Sequence, residues 1–146
     1  MSHPSYLSNM FVRKNWDLTI KKTLKELRPL SATFDSIAFR GLSGGLIAPI
    51  ICYNLKKGMV AVRKSRKDEP CHSSNSVESE TDCIGRYIIL DDQISSGATV
   101  LAMLDAIKNA KLEGRCVGIY TYQGFVTRGS IFRPGDKDIP RIASCL

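Results

Sequence analysis

The stretch from Tyr87 to Thr99 restricts the fold of this chain more than any other. Tyr87-Ile88-Ile89-Leu90 is a short, continuously apolar run preceded by Gly85, the pattern of a strand buried on both faces. It ends in adjacent carboxylates, Asp91 and Asp92. After Gln93 and Ile94 come the small residues Ser95, Ser96, Gly97, Ala98 and Thr99. Val100, Leu101, Met103, Leu104 and Ile107 then follow at helical spacing. Small residues let backbone N–H groups approach an anion, and a helix N-terminus adds free donors and partial positive charge, so this loop suits a phosphate. It is not a Walker A loop, because Gly-Lys-Ser/Thr is missing and Gly97 is its lone glycine. Two carboxylates beside a phosphate would repel it unless they serve another part of the same ligand. Vicinal ribose hydroxyls or a bound Mg²⁺ would suit them.

The rest of the chain supplies two more loops of the same kind. Trp16, Ile20, Leu24 and Leu27 repeat at helical spacing with lysines between them, which predicts an amphipathic helix ended by Pro29. Met1 to Asn15 carry little pattern and read as an arm. Phe34 to Phe39 read as a strand leading into Arg40-Gly41-Leu42-Ser43-Gly44-Gly45, where the glycines permit close backbone approach. Leu46 to Leu55 read as a helix, with Pro49 in its first turn. Met59 to Val62 read as a second buried strand, ending at the cations Arg63, Lys64, Arg66 and Lys67. Asp68 to Cys83 are polar and have no apolar period. A connection of about fifteen such residues inside a compact domain fits an active-site lid. It contains His72, a candidate donor to a bound anion. Gly114 reads as the C-cap of the helix after the acid pair. Cys116 to Tyr122 read as a last core strand, and Gln123 to Leu146 as a short polar tail. Tyr122, Phe125 and Phe132 could stack on a base, though packing is the simpler use of each.

Alternation of strands and helices after residue 34 predicts an α/β fold with a mainly parallel sheet flanked by helices. The length of 146 residues predicts one domain spanning 1–146, with its core at about 34–122. In such sheets ligands bind at the carboxyl ends of the strands. Arg40 to Gly45, Arg63 to Lys67 and Asp91 to Thr99 all fall at that edge. Five cysteines, an odd number at irregular spacing, argue against a disulfide framework and for a reducing, cytoplasmic setting. Cys71, His72 and Cys83 fit no common zinc spacing, so no metal site is expected in the protein itself. There is no run of membrane-span length and no secretory h-region at the start. The net charge of +7 suits either a polyphosphate ligand or a nucleic-acid partner.

The Tyr87–Thr99 stretch resembles the ligand loop of the type I phosphoribosyltransferases, which bind phosphoribosyl pyrophosphate (PRPP). The family pattern is a run of apolar residues, two acids, two variable residues, then Ser/Thr, small, Gly, small, Ser/Thr. This chain matches each element. Arg40-Gly41 resembles the adenine enzymes, and Gly44 to Pro49 resembles the orotate enzymes. Arg63, Lys64 and Lys67 match the cations at the entrance to the family's mobile loop. The acidic cluster Glu78, Glu80 and Asp82 departs from the basic, glycine-containing loops of that family. The resemblance implies a type I phosphoribosyltransferase-like fold with a minimal hood built from the terminal segments. It implies that Asp91 and Asp92 hold the ribose hydroxyls and that Ser95, Ser96, Gly97, Ala98 and Thr99 wrap the 5′-phosphate. Arg40, Gly41, Leu42, Ser43, Gly44, Arg63 and Lys64 would bind pyrophosphate, and Lys67 would assist catalysis. Mg²⁺ would enter with PRPP, a nucleobase would be the acceptor, and the protein would be a homodimer. The alternative is a non-catalytic PRPP-binding regulator that binds nucleic acid, although no DNA-reading motif is visible.

Overall fold

The computed structural model describes residues 7–64, 76–94 and 97–123. Leu7 and a short 3₁₀ turn, Ser8–Phe11, precede helix α1, Arg13–Leu27. Leu7 and Met10 are buried in the core, so this part of the expected arm is packed structure. A 3₁₀ segment, Arg28–Thr33, carries Pro29 and leads to strand β1, Ser36–Arg40. The glycine-rich segment that follows is a single tight helical turn, α2, Gly41–Gly45. Helix α3, Ala48–Leu55, begins two residues later than the apolar pattern suggests, with Pro49 in its opening turn. Strand β2 is Gly58–Val62.

Part of the segment expected as a lid, Asp68 to Cys83, is strand. Val77–Ser79 form a strand, β3, and strand β4 begins at Cys83, extending through Asp91. Val77 is buried against Val62, its partner across the ladder, and this apolar pair holds a segment that otherwise reads as polar. Helix α4, Ala98–Asn109, leads to strand β5, Glu113–Thr121. Gly114 is therefore inside a strand and is not a helix cap. Lys111, with φ 57°, takes the left-handed turn position between α4 and β5. A Cβ on Gly114 would lie 2.5 Å from the Gly85 carbonyl oxygen, so the glycine serves a close strand approach.

The strand order is β3-β2-β1-β4-β5. β1, β2, β4 and β5 run parallel, and β3 is an antiparallel edge. Successive residues serve opposite faces, as the period of a strand requires. Ile37, Ile88 and Leu90 pack under α1 and α3 with Phe34, Leu27 and Ile51. Ala38, Ile89 and Ile119 pack under α4 with Val100, Met103 and Ile107. Among the described residues no helix is long and apolar enough to cross a membrane.

Candidate functional site

All four parallel strands end on one rim. Arg40 closes β1, Arg63 and Lys64 follow β2, Asp91 closes β4 and Thr121 closes β5. The chain leaves β1 towards β2 on one side and returns to β4 on the other. The crevice between the carboxyl ends of β1 and β4 is thus the switch point at which open α/β sheets hold ligands. A cavity of about 320 Å³ lies there, lined by Arg40, Ser43, Lys64, Asp91, Asp92, Gln93 and Thr99. Every lining residue is polar or charged. Three segments far apart in sequence meet in it.

The acid pair is buried. Asp91 is 7% exposed and Asp92 is 4% exposed, against the open position that a strand end suggests. The neighbouring strand runs alongside them. β5 continues past its own end, with the Tyr122 N–H donating to the Asp91 carbonyl at 3.1 Å and the Gln123 N–H to the Asp92 carbonyl at 2.8 Å. Asp91 Oδ1 accepts the Ser43 hydroxyl at 3.0 Å and the Asp92 N–H at 2.9 Å. Asp92 Oδ1 accepts the Gln93 N–H at 2.7 Å. Burial raises the Asp91 carboxyl to about 6. The Asp92 side chain pushes the same way, while the Asp92 N–H and the Ser43 hydroxyl oppose the shift.

Three buried polar atoms have no hydrogen-bond partner among the described residues: Arg40 Nε, Asp92 Oδ2 and Thr121 Oγ1. All three belong to residues at this rim, and Arg40 and Asp92 line the cavity. Buried polar atoms are almost always paired, so a cluster of unmet ones at a polar cavity marks a place for a polar ligand. Cations stand beside it. The Lys64 side chain lies over Gly41, where an added Cβ would sit 3.2 Å from its Cε. Gly41 has φ +66°, which also favours glycine there. Gly44 packs closely enough that a Cβ would fall 2.8 Å from Phe39 Cβ and 3.3 Å from the Leu90 carbonyl oxygen.

The expected residues divide into those the rim gathers and those it does not. Arg40, Ser43, Lys64, Asp91, Asp92 and Thr99 line the cavity. Gly97 takes the left-handed position, φ 79°, that opens α4, and Ala98 and Thr99 begin that helix. Leu42 is exposed. Arg63 turns away to pair with Glu78 on β3 at 2.7 Å, which the Ala61–Glu78 register explains. Ser95, Ser96, Lys67 and His72 lie outside the described residues, as do Phe125 and Phe132. Tyr122 is buried and packed, so it presents no face to a base. Among the described residues no group of three or more His, Cys, Asp or Glu could hold a metal ion.

Gln93, Thr121 and the tie between Ser43 and Asp91 were not legible as site features in the sequence. Thr121 carried one usable signal, its place at the end of the last core strand.

No protein-family model matches the chain. The chain is similar to the adenine phosphoribosyltransferase of Bifidobacterium longum strain NCC 2705, 38% identical over 102 residues, covering 61% of this chain and 53% of that protein. It is also similar to the adenine phosphoribosyltransferase of Bifidobacterium longum subsp. infantis, 35% identical over 120 residues, covering 73% of this chain and 59% of that one. The chain thus spans little more than half the length of these curated relatives. In fold it resembles the crystal structure of orotate phosphoribosyltransferase from Aeropyrum pernix, with a TM-score of 0.67 at 16% identity over 95% of this chain and 76% of that one.

Proposed function

From a chain that has the type I phosphoribosyltransferase fold and is similar over part of its length to adenine phosphoribosyltransferases, we propose a transferase that moves the 5-phosphoribosyl group of PRPP to a nucleobase and releases pyrophosphate. The observation that carries this reading is the buried acid pair facing a polar cavity, where Arg40 and Asp92 each hold a buried polar atom with no partner among the described residues. The names of the curated relatives favour adenine as the acceptor. Nucleotide salvage is the corresponding role, in the cytoplasm.

The reaction develops cationic character on the ribose and negative charge on the leaving group. The chain's residues must fix the sugar and stabilise the pyrophosphate. In this proposal Asp91 and Asp92 accept hydrogen bonds from the ribose hydroxyls and favour positive charge nearby. The N-terminus of α4, with Gly97, Ala98 and Thr99 and the preceding Ser95 and Ser96, holds the 5′-phosphate. Arg40, Lys64 and the Gly41–Gly44 backbone face the pyrophosphate, and Lys67 joins them. Arg63 reaches the pyrophosphate only by giving up Glu78. Mg²⁺ arriving with PRPP would offset charge on the departing pyrophosphate. Asp91 and Asp92 are the rim carboxylates that such a metal would meet.

The homodimer belongs to the same proposal, with light scattering as its test. Support for a shared surface is the exposure of Tyr53 and Met59 beside a second cleft of about 890 Å³. The regulator reading gains nothing from the relatives, which are named as transferases. The deciding experiment measures PRPP consumption with Mg²⁺ against adenine, guanine, hypoxanthine, xanthine, uracil and orotate. Turnover with adenine above the others is expected. PRPP binding without turnover on any base would favour the regulator.

A further inference from the structure

The segment that carries Ser43 packs through Gly44, buried against Phe39, and has few side chains of its own to fix it. α2 is one helical turn, Gly41–Gly45, and contains three glycines. Its apolar side chain, Leu42, is 59% exposed, and nothing lies within 4 Å of where a Cβ on Gly45 would be. Yet Ser43 Oγ sits 3.0 Å from Asp91 Oδ1. A glycine-rich turn loses much conformational freedom on being fixed, so outside contacts must locate it.

Two aromatic side chains do this. The Tyr122 hydroxyl, one residue beyond β5, donates to the Ser43 carbonyl at 2.8 Å. Trp16, on α1, donates its indole N–H to the Leu46 carbonyl at 3.0 Å. Tyr122 is 5% exposed and belongs to the apolar cluster that includes Leu90 and Ile47. A phenylalanine would pack there equally well. Burying a hydroxyl is unfavourable unless it is bonded, and the bond to Ser43 is a contribution that a phenylalanine would lose. Tyr122 is also joined to the acid pair by its own backbone, since its N–H donates to the Asp91 carbonyl. One residue therefore grips both sides of the Ser43–Asp91 contact.

We infer that Tyr122 is a positioning residue, holding the Gly41–Gly45 turn so that the Ser43 hydroxyl orients the Asp91 carboxylate for a ribose hydroxyl. The inference rests on the proposed PRPP site and adds a residue to it. Tyr122 touches no substrate in this role. It acts through Ser43.

The test is a double-mutant cycle on PRPP affinity, measured by calorimetry with Mg²⁺ at pH 7.5, with melting temperature recorded for each chain. Ser43→Ala and Tyr122→Phe should each weaken PRPP about tenfold, the effect of one hydrogen bond involving a charged group. The double variant should be no weaker than the weaker single one, because once Ser43 Oγ is gone the Tyr122 hydroxyl has nothing left to place. Ser43→Thr, which keeps the hydroxyl, should restore most of the affinity. Additive losses, or an unchanged affinity in Tyr122→Phe, would overturn the inference while leaving the PRPP site standing. A Tyr122→Phe chain melting more than about 5 °C lower would make the bond structural and overturn it as well. A wild-type chain that takes up no PRPP would remove the proposed function, and this role with it.

Discussion

Replacing Asp91 with asparagine should make the ligand-free protein more stable at pH 7.5 while abolishing PRPP binding. Asp91 is 7% exposed, and its carboxyl is raised from an ordinary value of 3.8 to about 6. A raised folded-state value means that the native protein holds this proton more tightly than the unfolded chain does. Native stability therefore increases as pH falls from above 6 towards 4, and the ionised form is penalised above that window. A rise of that size corresponds to about 3 kcal/mol at neutral pH, a ceiling for two adjacent carboxyls. Asparagine keeps an acceptor for the Ser43 hydroxyl and the Asp92 N–H but loses charge assistance of about 1 kcal/mol. A net gain of about 1–2 kcal/mol remains, or about 3–6 °C in melting temperature for a domain of this size. The assay is thermal unfolding of wild type and Asp91→Asn at pH 7.5 and 4.5, without ligand. Protonation of native Asp91 should return about 2 kcal/mol to wild type by pH 4.5, so the difference should vanish or change sign at the lower pH. An asparagine variant less stable than wild type at pH 7.5, or a difference independent of pH, would refute the reasoning.

Other outcomes follow from the same contacts. Gly85→Ala should destabilise by about 1–3 kcal/mol, because the position has φ +65° and a Cβ would lie 2.7 Å from Asp35 Oδ2; chemical denaturation reads this directly. Asp35 accepts hydrogen bonds from the Arg86 guanidinium and backbone, which lower its carboxyl to about 2, so its contribution is present above 3.8 and is lost as pH falls from there through 2; acid unfolding of Arg86→Ala should start at higher pH than that of wild type. Gly97→Ala should weaken inorganic phosphate and PRPP binding together, at about 1 kcal/mol of stability, since φ 79° opens α4; calorimetry with each ligand tests it. Lys67→Ala should lower kcat more than PRPP affinity, as expected of a group that meets pyrophosphate chiefly in the transition state; losses confined to KM would make it a ground-state contact.

What the sequence disclosed was mostly local. The run Tyr87 to Leu90, the acids and the small-residue loop succeed one another along the chain, so their order alone predicts strand, rim and helix. What it hid depended on other strands. Val77 is an isolated apolar residue among polar ones, and only its pairing with Val62 makes a strand of it. Gly114 follows a helix at a distance typical of a cap, but its missing side chain answers the close approach of Gly85. Arg63 looks like its cationic neighbours until Glu78 is brought across from Ala61. The burial of Asp91 and Asp92 could not be read from their neighbours in sequence, because their partners, Ser43, Tyr122 and Gln123, lie thirty residues or more away.

The two ends of the sheet are finished differently. At one end Asp35, Arg86 and Ser36 close their hydrogen bonds with one another and with strand backbone. At the other, Arg40, Asp92 and Thr121 each retain a buried atom with its bonding capacity unspent among the described residues. Selection for stability alone would act first on that second rim, where Thr121→Val removes an unmet hydroxyl at little cost in packing. A library of this chain screened only for heat resistance should therefore accumulate changes around the cavity, and the positions it rewards would draw the outline of the ligand without any ligand being supplied.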